Sequence, residues 1–155
     1  ILDTIIRYSN DNKKYTKNQK DIQKSVDYIN QQYGGGDQNA VNLIMKNFAE
    51  PIKTQTKSLN FAPNSVPLVL AEIMVTAEKD GEGNDLSPTQ SGAIISTTIS
   101  NLGAIMTQPS NAAKLAVYKN GNTKEINAMY SMTYDKKTKE EIQFLAKQFA
   151  ILLNN

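Results

Sequence analysis

The apolar side chains Ile1, Tyr8, Tyr15, Ile22 and Ile29 recur at seven-residue intervals, and Ile5, Val26 and Tyr33 stand four positions beyond members of that series. Steps of three and four place such side chains on one stripe of an α-helix, so the pattern predicts a long N-terminal helix over residues 1–33. Asn12 and Gln19 interrupt the stripe at core-type positions, while Lys13, Lys17, Lys20 and Lys24 fall on the opposite face. A stripe of this kind needs a partner. The polar interruptions weaken a free-standing coiled coil, so helices of the same chain are the expected partner and a second chain is the alternative.

Gly34, Gly35 and Gly36 end this helix, because glycine takes up the left-handed backbone of a helix C-terminus without steric cost. Asp37 then offers a capping carboxylate, and Val41, Ile44, Met45 and Phe48 form the stripe of a second helix, which Pro51 kinks or divides. Residues 58–67 carry Pro63 and Pro67 and read as an extended connector. Between Pro67 and Glu78 apolar side chains nearly encircle a short helix, which is therefore expected to be buried. Residues 79–87 form an acidic, glycine-containing loop, closed by Ser87-Pro88-Thr89-Gln90, a capping box with proline at the first helical position.

Leu86 to Ala113 contains no charged side chain. Within it Ile94, Ile95, Ile99, Leu102 and Met106 make a helical stripe, and Gly92, Ser96, Ser100, Gly103 and Thr107 a second stripe of small residues. This predicts one helix over 88–107, central to the domain or shared with another subunit. A short helix over 112–118 follows. Asn120-Gly121 permits a β-hairpin over residues 115–126 as the competing reading, but helices are preferred there. Asn122-x-x-Glu125 and Thr138-x-x-Glu141 resemble capping boxes, and the last helix is amphipathic through Ile142, Leu145, Phe149 and Leu152. The expectation is an all-α, single-domain bundle of about five to seven helices; the alternative is a mainly α domain with that small hairpin.

Composition narrows the chemistry. The 155 residues include no cysteine and no histidine, which removes disulfides, thiolate nucleophiles, the usual zinc and haem ligands and the imidazole base. Net charge is +2, too small to imply nucleic acid or an anionic membrane by default, but it is unevenly spread: about +3 over 1–57, −4 over 58–113 and +3 over 114–155. Opposed segments can pack together, or between copies. Arg7 is the only arginine against many lysines, a usage that fits an AT-rich bacterial or viral genome. No apolar run is long enough to span a membrane. A first residue of isoleucine fits a cleaved export signal or a trimmed piece, and an extracytoplasmic location is the expectation.

Candidate sites are few. Asp80, Glu82, Asn84 and Asp85 alternate oxygen ligands as a calcium loop does, but Asp85 stands where an EF-hand needs glycine and Ser91 where it needs the bidentate glutamate, so a solvated turn is preferred. Lys13, Lys17, Lys20 and Lys24 are the candidate basic face for nucleic acid, a partner judged unlikely with one arginine in the chain. Residues 102–113 resemble, over about a dozen positions, the Gly-Ala-x-Gly-Leu-Met-Gln segment of lytic transglycosylases, helical enzymes with a glutamate as general acid. The second glycine and the upstream Glu-Ser pair are missing, since Glu72 precedes Ile73, and the likeness is set aside as coincidence. Glu72 remains the candidate acid of a carboxylate-dependent hydrolase if burial raises its pKa; otherwise it pairs with a lysine or lies at the surface. No cofactor is implied.

The leading expectation is a non-enzymatic protein that acts through contacts with a protein partner or itself, as a subunit of a surface or secretion-type assembly or as an exported binding factor. The residues expected to carry those contacts are Ile94, Ile95, Ile99, Leu102, Gly103 and Met106, with Tyr8 and Tyr15 on the first helix.

Overall fold

In the computed structural model, residues 19–153 are described, and they form an all-α bundle of eight helices without a β-strand. Residues 1–18 lie outside the described residues, and with them Tyr8, Tyr15, Lys13 and Lys17 of the sequence reading. The remainder of the first stripe behaves as its spacing predicts. Helix α1, Gln19–Gly34, buries Ile22, Val26 and Ile29 and leaves Lys20 and Lys24 exposed. It stops at the glycines, where Gly35 and Gly36 take φ of 60° and 94° and the Gly36 N–H donates to the Asn30 carbonyl at 3.0 Å.

Helix α2 runs over residues 40–58 as α-helical Ala40–Ile44, π-helical Met45–Ala49 and α-helical Glu50–Ser58. Pro51 neither divides nor ends it. A proline ring would collide with the carbonyl four residues back, and the widened π turn immediately upstream, in which Glu50 N–H reaches Met45 O, relieves that conflict. Helix α3, Ser65–Thr76, begins within the stretch read as an extended connector and takes Pro67 into its first turn, where the missing N–H has no intrahelical acceptor to lose.

Helix α3 is the axis of the fold. Val69, Leu70, Ala71, Ile73, Met74 and Val75 are all buried, with α8 (Lys136–Leu153) packed along one side and α2 and α4 on others. At about 1.5–3 kcal/mol for each fully buried large apolar side chain, these few positions supply a substantial part of the driving force. Helix α8 also packs on α1, with Ser25 Oγ donating to Gln148 Oε1 at 2.8 Å inside the contact.

The charge-free stretch does not take the central place expected of it. It divides at Asn101 into α4, Pro88–Ser100, and α5, Leu102–Met106, because asparagine and the nearby Gly103 hold helical geometry poorly, and this break raises the helix count above the five to seven expected. Its apolar stripe is thin, so only Ile95, Ile99, Leu102 and Met106 are buried, and the rest of the surface is uncharged, a mixture of small polar side chains with exposed Ile94 and half-buried Ile105. A 3₁₀ turn, Pro109–Asn111, leads to α6, Ala112–Asn120, and α7, Thr123–Thr133. These two helices replace the hairpin alternative over 115–126. Gly121 between them adopts φ 70°, and a Cβ there would stand 2.5 Å from both Ala62 and Asn64, so the turn admits only glycine. Helix α8 is capped by Asp135, which accepts from Thr138 N–H at 2.8 Å, rather than by the box read at Thr138 and Glu141.

Candidate functional site

A glutamate on a helix that is apolar on every side has to be buried, and Glu72 of α3 is 4% exposed. Its Oε2 accepts from Lys114 Nζ at 2.6 Å and from the Tyr134 hydroxyl at 2.6 Å; its Oε1 accepts from the Tyr118 hydroxyl at 2.9 Å. With the Tyr118 proton given to Glu72, the Tyr130 hydroxyl donates to that of Tyr118 at 2.6 Å, and the Leu68 carbonyl lies 3.3 Å from it. Lys114 and Tyr118 are one turn apart on α6, while Tyr130 and Tyr134 keep the same spacing at the end of α7, so α6 brings two donors to the carboxylate and the end of α7 brings Tyr134, with Tyr130 backing Tyr118. Burial, and then the negative charge of Glu72, pushes the phenols of Tyr118, Tyr130 and Tyr134 well above their ordinary range.

This arrangement bears on the hydrolase reading. A general acid needs an approach for the substrate oxygen, and both Glu72 oxygens are committed to donors inside the bundle. Burial against Lys114 fulfils the pairing that the sequence offered as the alternative. The tyrosines around it are a feature sequence reasoning missed; the signal was the four-residue spacing of Lys114 with Tyr118 and of Tyr130 with Tyr134.

The second feature is a groove of about 490 Å³ where the end of α1, the first half of α2, the end of α3 and the start of α4 meet. Its floor is apolar, made by Ala40, Ile44, Phe48, Met74 and Ile95, and its margin reaches the surface at Leu43, which is 55% exposed. Three carboxylates line it, from Asp37, Glu78 and Asp85, and no lysine or arginine does. Glu78 accepts from the Tyr33 hydroxyl at 3.3 Å, and Glu141 of α8 is its neighbouring carboxyl. Burial first, then the hydrogen bond and charge of Glu141, raise its carboxyl to about 7. The neighbouring cation, Lys79, is turned to Asp85 at 2.7 Å.

The sequence-derived candidates fall in different places. Ile95 is in the floor of the groove, while Ile99, Leu102 and Met106 are core residues and Gly103 is half-buried. Ile94, 44% exposed, is the member of that set that faces outward. In the acidic loop the Asp80 carboxylate accepts from Glu82 and Asn84 N–H at 2.9 Å each, and these backbone bonds hold its carboxyl below the usual range. It organises a turn, closed by an antiparallel bridge between Lys79 and Asp85. Among the described residues no three acidic side chains gather closely enough to hold a metal ion. Lys20 and Lys24 alternate with exposed Asp21 and Asp27, which breaks any basic stripe over the described part of α1. No helix among the described residues is long and apolar enough to cross a membrane.

Comparison of this chain with protein-family models, curated proteins and solved structures gives no match.

Proposed function

We propose that the protein acts by binding another protein, through the apolar groove and the uncharged outer face of α4 beside it. The observation that carries this reading is the juxtaposition of an apolar concavity with two exposed large apolar side chains, Leu43 at its margin and Ile94 one turn along α4 from the lining residue Ser91. Scattered exposed aliphatics are ordinary on protein surfaces, but apolar side chains gathered at a concave site mark an interaction surface. The helix that borders it has no charge to desolvate on contact, which lowers the cost of covering it. The setting suggested by composition, a surface or secretion-type assembly or an exported binding factor, is compatible with such a surface.

The test uses two full-length variants, Leu43→Asp and Ile94→Asp. Both positions are exposed, so the thermal unfolding of each variant is expected to match the parent. Complexes recovered by crosslinking in the native cells, or self-association seen by light scattering, are expected to disappear with either one. Retention of the same complexes by both folded variants overturns the proposal.

A further inference from the structure

We infer that the groove takes an amphipathic segment of a partner protein that presents a lysine or arginine, whose cationic head seats against Glu78 with Glu141 behind it. The inference rests on the reading of the groove as a protein-binding surface and names the chemistry of its occupant. An apolar floor calls for an apolar stripe on the incoming segment, as when a helix lies in a groove. The margin calls for positive charge, since Asp37, Glu78 and Asp85 line it and no cation of this chain does.

The carboxyl pair specifies where that charge belongs. The groups that face Glu78 are the Tyr28 and Tyr33 hydroxyl-bearing rings from α1, Glu141 from α8, and Lys79 and Asp85 from the adjoining loop; the lining part of α4 contributes nothing charged. Lys79 is already held by Asp85 at 2.7 Å, so within the chain the Glu78 carboxyl is left beside that of Glu141, which raises the cost of ionising it. An incoming ammonium or guanidinium lowers that cost, and the proton released by Glu78 passes to solvent.

The experiment mixes the full chain with three amphipathic helical peptides that share one leucine stripe and differ at a single position, occupied by lysine, norleucine or glutamate. Binding is read by fluorescence anisotropy and mapped by amide chemical-shift changes. The lysine peptide is expected to bind about tenfold tighter than the norleucine peptide and the glutamate peptide weakest, with shifts centred on Leu43, Ile44 and Glu78. Its affinity is expected to rise between pH 6 and pH 8, as Glu78 ionises, and calorimetry in two buffers should register release of a proton. Glu78→Gln should remove the lysine preference and the pH dependence, whereas Glu141→Gln should keep the preference and move the pH dependence to lower pH.

If all three peptides bind alike and Leu43→Asp abolishes them, the cation seat is wrong while the protein-binding groove stands. If none binds, or shifts fall elsewhere, this occupant is wrong, and self-association through the groove would identify a second copy as the occupant instead. Full retention of the preference in Glu78→Gln also overturns the assignment.

Discussion

Glu72 is a buried carboxylate satisfied by one ammonium and two phenols. Removing one partner of a buried ion pair costs more than the pair itself contributes, because the remaining charge keeps its desolvation penalty. Glu72→Ala should therefore destabilise the protein by about 3–5 kcal/mol in urea unfolding, leaving Lys114 without a counterion and Tyr118 and Tyr134 without their acceptor. The double variant Glu72→Leu/Lys114→Leu should recover part of the loss, since apolar side chains replace both charges while the phenols stay unpaired. A loss under about 1 kcal/mol for Glu72→Ala would show that the network is dispensable.

At the scale of elements, some helix ends are set by a few local residues and are legible in the sequence. Ser87 accepts from Gln90 N–H at 3.2 Å while Gln90 returns to Ser87 N–H at 3.0 Å, the reciprocal box that Ser-x-x-Gln announces. The glycine run after α1 and the encircling apolar residues of α3 were equally legible, because periodicity and left-handed turns are local properties. Two other features were not. The break at Asn101 is masked by an apolar stripe that continues at helical spacing from Ile95 to Met106, and the π turn is one of several ways in which a helix can accommodate Pro51. The groove is likewise unreadable from the chain, since its lining comes from four helices far apart in sequence. Gly121 joins the local to the tertiary: Gly121→Ala should cost about 2 kcal/mol, part from the positive φ and part from the approach of Ala62 and Asn64. A variant as stable as the parent in urea unfolding would mean that this turn relaxes freely.

Over the whole molecule, the acidic middle of the sequence meets its basic C-terminal third through Lys114 and Glu72, one opposition of segment charge realised inside the fold. Five tyrosines, at positions 28, 33, 118, 130 and 134, have phenols displaced upward, chiefly by burial. The unfolded phenol ionises near 10.0, so the folded state holds these protons more tightly than the unfolded one. Their contribution to stability is complete below that value and is lost as pH rises through it toward the folded values. Helical circular dichroism should accordingly collapse in one step above about pH 10. Tyrosinate absorbance should appear together with that collapse; gradual ionisation with the helices intact would contradict the burial of these rings. The chain has no tryptophan, so its ultraviolet emission comes from its seven tyrosines, and these five rings are most of them. The interior thus carries its own optical gauge, and the integrity of the core can be followed in dilute solution without attaching any label.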